Sequence, residues 1–152
     1  MAASLDDTDR EILDVLARDG RISMRALAET VHISRANAYA RVERLTADGV
    51  IRGFSADIDP ELAGFGTSAY LTVNLRQSHW REIEKRLQAL PGIVHIALVG
   101  GDFDAVLLVR ARDNADLRRL VLEEILEIEG VLSTRTLLVF EEPTIAPLTL
   151  ST

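Results

Sequence analysis

The sequence predicts an α+β protein, in which a winged-type helix-turn-helix domain is joined by a β linker to a ferredoxin-like βαββαβ domain. Apolar residues recur at helical spacing through residues 27–45. From residue 69 onward, strand and helix patterns alternate in the order strand, helix, strand, strand, helix, strand. A helix-to-strand connection through a glycine occurs twice, at 90–94 and 128–132, as in a split βαβ arrangement. The predicted boundaries are 1–52 for the first domain, 53–64 for the linker, 65–142 for the second domain and 143–152 for a C-terminal tail.

Composition limits the possible classes of protein. The 152 residues are 47% hydrophobic, which is ample for two cores, and they include no cysteine, so disulfides and thiolate chemistry are excluded. No apolar run approaches the roughly 20 residues of a membrane span. The acidic N-terminus lacks the apolar region of a signal peptide. A cytoplasmic protein is expected.

The first domain is predicted from residues 26–45, which have the pattern of two short helices separated by a tight turn. Ser34 is placed to cap the second helix by accepting a hydrogen bond from its first turn. Gly49 is suited to end that helix, and residues 50–54 then alternate as a short β segment. A helix-turn-helix followed directly by such a segment is typical of a winged module.

DNA binding is the function that this domain suggests, because its second helix carries Arg35, Arg41 and Arg44 away from the apolar stripe. The net charge of −7 is concentrated after residue 53, since the first 53 residues hold 8 arginines and 9 acids. Many of those acids belong to the opening helix, and we expect them to lie away from the reading helix. An ordinary helical hairpin with a few arginines is the alternative, which the following β segment disfavours. The candidate DNA-binding residues are Ser34, Arg35, Asn37, Ala40, Arg41, Arg44 and Arg52.

The second domain is predicted element by element. The expected strands are 69–75, 94–99, 105–111 and 131–140, and the expected helices are 80–90 and 114–127. Two helices cover only one face of a four-stranded sheet, and Leu122 and Leu126 form a second apolar row on the last helix. Both features predict a homo-oligomer that buries the remaining apolar surface.

With both domains considered, the chain resembles the Lrp/AsnC, or feast/famine, transcription regulators over nearly its full length. The segments that carry this resemblance are 5–13 (LDDTDREIL), 26–45, 49–54 (GVIRGF), 58–60 (IDP), 90–92 (LPG) and 99–104 (VGGDFD). The resemblance implies a C-terminal ligand-binding domain of the RAM type. It also implies dimers that assemble further, often to octamers, and an amino acid as effector.

Three positions depart from the family pattern. His32 occupies the helix-turn-helix turn where glycine is usual, and histidine tolerates a left-handed conformation better than most residues. Gly100 replaces a common threonine and Ala105 a common aromatic residue beside the expected effector turn. We expect these two changes to remove a hydroxyl and enlarge the effector site.

The effector is expected at the turn 100–104, where Asp102 and Asp104 can receive an ammonium group while free backbone N–H groups bind a carboxylate. A simple glycine–aspartate hairpin fits the local pattern equally well, and the resemblance favours the ligand site. Thr134 and Thr136 can add hydroxyls to a neighbouring subunit's pocket, or be ordinary strand threonines. The candidate effector residues are Val99, Gly100, Gly101, Asp102, Asp104, Thr134 and Thr136.

The remaining chemistry argues against an enzyme. The three histidines are scattered, so no metal site is predicted, and no phosphate loop, nucleophile elbow or catalytic carboxylate pair occurs. No cofactor is expected beyond the small-molecule effector. Two alternatives stay open, namely an amino-acid-sensing domain protein that acts on a metabolic enzyme, and an RNA reader. The strands lack the aromatic pair and the basic surface that RNA reading requires. The prediction is a regulator of transcription that binds double-stranded DNA.

Overall fold

The computed structural model describes residues 5–143 and 146–151, and the chain divides into two compact units. Unit 1 contains residues up to 57 together with those from 143 onward, and unit 2 contains residues 58–142. Of the predicted segments, residues 1–4 of the first domain and residues 144, 145 and 152 of the tail lie outside the described residues. The described part of the predicted tail belongs to unit 1. The α+β class and the order of the elements are as predicted.

Unit 1 is a three-helix domain. Its helices are α1 (Asp7–Arg18), α2 (Met24–Thr30) and α3 (Arg35–Ala47). Each helix begins at a residue whose side chain caps it, and these are Asp6, Ser23 and Ser34. The apolar faces of the helices enclose a small core formed by Ile12, Leu16, Leu27, Val31, Leu45 and Ile51. The predicted cap at Ser34 and the predicted helix-turn-helix are thus confirmed.

Two turns of unit 1 use left-handed backbone. His32, between α2 and α3, has φ +54°, so the turn keeps its geometry without glycine, as expected. Gly49 follows α3 with φ +72°, and its N–H donates to the Thr46 carbonyl over 3.0 Å. The Ile51 N–H then donates to the Leu45 carbonyl over 3.0 Å, which returns the chain to the core.

The predicted β segment after α3 is the exception. Residues 52–59 have no regular secondary structure. A strand needs a partner to receive its ladder of hydrogen bonds, and no other strand pairs with this segment within residues 5–143 and 146–151. The prediction of a β segment after α3 is therefore wrong for this chain taken alone.

Unit 2 is a four-stranded antiparallel sheet with two helices on one face. Its elements are β1 (Thr67–Leu75), a 3₁₀ turn (Gln77–His79), α4 (Trp80–Ala89), β2 (Ile93–Leu98), β3 (Ala105–Ala111), α5 (Asn114–Arg119), a π-helical turn (Leu120–Ile125) and β4 (Val131–Leu138). The strand order β2-β3-β1-β4 is that of a ferredoxin-like domain, as predicted. The core lies between the sheet and the helices, and its central strands contribute Ala69, Leu71, Val73, Ala105, Leu107 and Val109.

The last helix differs from its prediction. The expected single helix over 114–127 is an α-helix only to Arg119, and the following six residues wind as a π-helix. Leu126 packs against the core of its own unit, whereas Leu122 is exposed. Only one residue of the predicted second apolar row is therefore left for another surface to cover.

The sheet face opposite the helices carries an apolar row across β3, β1 and β4, next to a histidine on β2. Tyr70 is paired in register with Leu108 on one side and Leu137 on the other, and Leu108 is paired with His95. Residues directly opposite each other on antiparallel strands point to the same face. Tyr70 and Leu137 are exposed.

Within the described residues, no helix is both long enough and apolar enough to cross a membrane.

Candidate DNA-binding and effector sites

The surface of α3 that points away from the core of unit 1 is built from small and polar side chains. Ala38 and Leu45 are buried in the unit, and helical periodicity places Ala36 and Ala40 on the opposite side, where both are exposed. Arg35 and Tyr39 flank these alanines, and the Arg35 guanidinium lies 5.5 Å from the centre of the Tyr39 ring. Small residues at the centre allow a helix to approach another surface closely. We call Arg35, Ala36, Tyr39 and Ala40 the exposed α3 face.

Arg41 and Arg44 do not belong to that face, because they are bound to α1. The Arg41 Nη1 lies 2.7 Å from Asp6 Oδ2 and 2.8 Å from Asp9 Oδ1. The Arg44 Nη2 lies 2.7 Å from both oxygens of Asp9. The expectation that the acids of the opening helix lie away from the reading helix is therefore wrong for Asp6 and Asp9. The two carboxylates and two guanidinium groups form what we call the α1–α3 ion cluster.

Asp9 is the centre of this cluster, with only 1% of the residue exposed. Its burial raises the pKa of the carboxyl, but the hydrogen bonds from Arg44 and Arg41 outweigh that effect, and the pKa lies below its usual value. Asp9 also accepts the N–H of Asp6, while Asp6 accepts the N–H of Asp9, which completes a capping box at the start of α1. Asp6 is thus the N-cap of α1. The same two residues also hold α3 in place.

The sequence contained a signal for this cluster. Arg41 and Arg44 are three residues apart, so they share one side of α3, and that side borders the stripe of Ala38 and Leu45. Side chains beside an apolar stripe contact the neighbouring helix. The partner helix cannot be identified from α3 alone.

The other predicted DNA-binding residues occupy different positions. The Ser34 hydroxyl accepts the Asn37 N–H over 3.2 Å, so Ser34 caps the helix. The Asn37 Oδ1 accepts from Arg41 Nε over 3.0 Å, which leaves its amide NH₂ group exposed. Arg52 is exposed at the rim of a groove of about 570 Å³ that is also lined by Leu13, Leu16 and Phe54.

In unit 2, the turn between β2 and β3 holds the predicted effector residues. The turn is closed by the Val99 N–H, which donates to the Asp104 carbonyl over 3.0 Å. Gly101 has φ +135°, a conformation that requires glycine, and a side chain at Gly100 would meet no atom within 4 Å. Asp102 is exposed. The turn therefore presents open backbone around Gly100 and the exposed carboxylate of Asp102.

Asp104 has a structural contact that the sequence did not reveal. Its Oδ2 accepts the Leu75 N–H over 2.8 Å, at the point where the pairing of β1 with β4 is interrupted by a bulge. Ala105 is fully buried in the core, so its side chain does not line an open site beside the turn. Thr134 lies in one cross-strand row with Val73 and Ala105, and Thr136 lies in the next row with Leu71. Thr134 is thus close along the sheet to the turn, and Thr136 is one row further away.

Comparison with known proteins adds to this geometry. Residues 5–52 match the family model described as winged helix-turn-helix DNA-binding, and residues 68–148 match the Lrp/AsnC ligand binding domain. The chain is 40% identical over 143 residues to the HTH-type transcriptional regulator AldR of Mycolicibacterium smegmatis, covering 92% of this chain and 84% of that protein. It is 29% identical over 141 residues to the regulator FL11 of Pyrococcus furiosus, covering 93% of each.

Solved structures agree with the fold. A transcriptional regulator of Neisseria meningitidis in complex with L-methionine superposes with a TM-score of 0.85 at 26% identity, covering 98% of this chain and 96% of that one. The leucine response regulatory protein of Mycobacterium tuberculosis gives a TM-score of 0.82 at 30% identity, covering 94% and 100%.

A helix-turn-helix unit followed by a ferredoxin-like ligand-binding unit defines a class of protein, the DNA-binding transcriptional regulators that respond to a small-molecule effector. The matches over both units place this chain in that class and not among enzymes. The chain belongs to the Lrp/AsnC family. The predicted family, fold class and general function are thereby confirmed.

Proposed function

We propose that the exposed α3 face enters the major groove of double-stranded DNA, with Arg35 as its principal base- or phosphate-binding side chain. Arg35 is exposed and makes no ion pair within the described residues, whereas Arg41 and Arg44 are held by Asp6 and Asp9. Ala36 and Ala40 let the helix backbone approach the base edges. Asn37 and Arg52 add polar groups at the margins, and Ser34 fixes the start of the helix.

The experiment compares two arginine variants on the DNA upstream of the protein's own gene. Arg35→Ala is expected to weaken specific binding by about 1–3 kcal/mol without changing thermal stability, because the side chain is exposed. Arg41→Ala is expected to lower thermal stability, because it removes a partner of buried Asp9. Equal loss of stability in both variants, or unchanged DNA affinity in Arg35→Ala, would contradict the proposed DNA-binding face.

We further propose that the effector is an amino acid and that it binds at the turn 99–104. The L-methionine complex of the Neisseria relative supports an amino acid as effector. Asp102 has an exposed carboxylate for the ammonium group, and the N–H groups around Gly100 and Gly101 suit a carboxylate. Asp104 contributes by holding the turn against β1, and Thr134 is the nearer of the two candidate threonines.

Calorimetry with the twenty amino acids tests this site. Asp102→Asn is expected to weaken binding of the amino acid at least about tenfold, because a charge-assisted hydrogen bond is lost. Glu129→Gln is the matched control, since Glu129 is also an exposed acid of unit 2. If both variants bind the amino acid as the wild type does, the ammonium group is bound elsewhere.

The same unit is proposed to form a homodimer that assembles further, with an octamer as the expected state. The supporting observation is the apolar row of Tyr70, Leu108 and Leu137, which lies on a sheet face that no helix of the described residues covers. An exposed apolar face of this kind is typical of a protein–protein interface. Sedimentation of the full chain is expected to show a species larger than a monomer, and a monodisperse monomer would contradict the proposal.

A further inference from the structure

Asp14 has an environment that its position on α1 does not explain. It lies two residues from Ile12 and from Leu16, which are both buried in the core of unit 1. Two residues correspond to about 200° around a helix, so Asp14 points away from that core. An acidic side chain in such a place is normally solvated. Here only 5% of the residue is exposed, so a part of the chain other than the helical core covers it.

The cover is the segment 146–151, which belongs to the same unit as α1. The Leu150 N–H donates to Asp14 Oδ1 over 2.6 Å, and the Ser151 N–H donates to Oδ2 over 2.9 Å. The Ser151 hydroxyl also donates to Oδ2. These hydrogen bonds, led by that of the Ser151 hydroxyl, hold the pKa of Asp14 below its usual value despite the burial. Two successive backbone N–H groups of the segment thus match the two oxygens of one carboxylate.

Two carboxylates of α1 therefore bind other parts of unit 1. Asp9 binds Arg41 and Arg44 of α3, and Asp14 binds the segment 146–151. The two acids are five positions apart, which corresponds to about 140° around the helix, so they use different sides of it. An α-helix of 12 residues is only marginally stable in isolation. Contacts on its sides therefore determine how long α1 stays formed.

We propose that Asp14 is a docking site for the segment 146–151, and that the docked segment stabilises the folded DNA-binding unit by holding α1. Because α3 is bound to α1 through the α1–α3 ion cluster, the same contact also helps to hold the helix that is proposed to read DNA. The stabilisation of unit 1 does not depend on the proposed function. Only its consequence for DNA binding rests on that function.

The docked segment can be released, because two opposing effects determine its stability. Hydrogen bonds to a carboxylate are stronger than those between neutral groups, but the segment gives up backbone freedom when it docks. A negative charge added at Ser151 is expected to release the segment, since it would replace the hydroxyl donor by a second anion beside Asp14. The stability of unit 1 is thereby sensitive to chemistry at Ser151.

The experiment places the same charge at two positions of the segment in the full chain. Ser151→Asp puts the new carboxylate beside Asp14, and Leu148→Asp is the matched control, because Leu148 is 80% exposed. Leu150→Pro is a second variant, which deletes one backbone donor without adding charge and leaves α1 unchanged. Hydrogen exchange is followed for the slowest amides of α1 and α3, with the amides of β1 in unit 2 as an internal reference.

Ser151→Asp and Leu150→Pro are expected to speed the exchange of these α1 and α3 amides by at least about threefold, which is the loss of hydrogen bonds less the regained freedom of the segment. Leu148→Asp is expected to keep the parent rates, as are the β1 amides in every variant. Asp14→Asn is expected to act like Ser151→Asp. The two changes together should cost less than their sum, because the new amide NH₂ group can donate to the new carboxylate.

Binding to the DNA upstream of the protein's own gene is measured at two temperatures. Well below the melting temperature of unit 1, Ser151→Asp is expected to bind as the parent does, because nearly all of unit 1 is folded. At the temperature where half of the parent's unit 1 is unfolded, a threefold shift lowers the folded fraction from about one half to about one quarter, so the apparent affinity falls about twofold.

Parent exchange rates in both Ser151→Asp and Leu150→Pro would overturn the docking site, as would an equal acceleration in Leu148→Asp. Faster exchange in α1 alone would overturn the step from α1 to α3. Weaker DNA binding far below the melting temperature would overturn stabilisation as the cause, because it would indicate a direct contact of the segment with DNA. If the parent protein fails to bind that DNA, the proposed choice of DNA is wrong, and the exchange rates still decide whether the docking site exists.

Discussion

Replacing Asp9 by alanine tests whether the α1–α3 ion cluster holds the reading helix in place. The substitution removes the acceptor of both arginines and one hydrogen bond of the capping box. Arg41 keeps Asp6 and Arg44 keeps Asp48, at 3.7 Å, as partners, but both of these carboxylates are more exposed than that of Asp9.

The expected loss of stability depends on how far the side chains of the ion cluster are exposed to water. Breaking a fully buried ion pair costs about 3–5 kcal/mol, and an exposed pair contributes about 0–1 kcal/mol. The side chains of Arg41 and Arg44 are 22% and 42% exposed, and Arg41 keeps Asp6 as a partner, so water compensates part of the loss. We therefore expect Asp9→Ala to lower the free energy of unfolding of unit 1 by about 2–3 kcal/mol. In a unit of this size, that corresponds to a fall in Tm of about 8–24 °C.

The assay is thermal unfolding followed by circular dichroism, with hydrogen exchange of α3 amides to assign the transition to unit 1. Asp7→Ala is the matched control, because the Asp7 side chain is 99% exposed and, within the described residues, forms an ion pair with Arg10 alone, at 3.1 Å. That variant is expected to change stability by no more than about 0.5 kcal/mol. If Asp9→Ala is no less stable than Asp7→Ala, the cluster contributes nothing measurable and the argument for it fails.

Two further predictions follow from the structure. Gly92→Ala is expected to destabilise unit 2 by about 2 kcal/mol or more, since φ is +93° and the new Cβ would lie 2.5 Å from the Arg110 carbonyl oxygen. Gly100→Ala is the control in urea unfolding, because that site has open space, and equal losses would contradict the reasoning. Acid is expected to weaken unit 1, because the pKa of Asp9 is lowered on folding from a usual 3.8. Stability from this group is fully present above its unfolded pKa and is lost as the pH falls through the lower folded pKa. Melting curves between about pH 5 and pH 2 should show a smaller loss in Asp9→Asn, and an equal loss would exclude Asp9 as the group responsible.

The order of the elements was predictable because hydrophobic periodicity reports it directly. The sequence predicted the bounds of the strands and helices of unit 2 to within a few residues, since each element buries one regular face. The π-helical turn was not predictable. Leu122 and Leu126 each follow a core residue of the last helix by one position, so a regular α-helix would expose both to the same degree. Only the packed structure decides that Leu126 turns inward and Leu122 outward.

The candidate site was less predictable, because the sequence shows which side chains are charged but not which residues they pair with in the fold. Arg35 and Arg41 are the same type of residue, and both lie off the apolar stripe of α3. The structure separates them, since Arg41 meets Asp6 and Asp9 from a helix more than thirty residues away in the chain. Likewise, Asp104 was read as a ligand residue from its turn, although its carboxylate accepts from a backbone N–H of β1. Contacts of this kind depend on long-range packing, which a local pattern does not contain.

The α1–α3 ion cluster has a consequence for how the protein searches DNA. Nonspecific affinity comes from the counterions that DNA releases when free cationic side chains approach its phosphates. Arginines that are already paired within the protein displace few of these counterions. Each helix-turn-helix unit of this acidic protein should therefore bind random DNA sequence weakly, and this affinity should depend little on ionic strength. In the proposed oligomer, stable binding to the chromosome then requires several helix-turn-helix units to bind correctly spaced sites together. The cluster thus favours a regulator that dissociates quickly from every place where only one unit can bind.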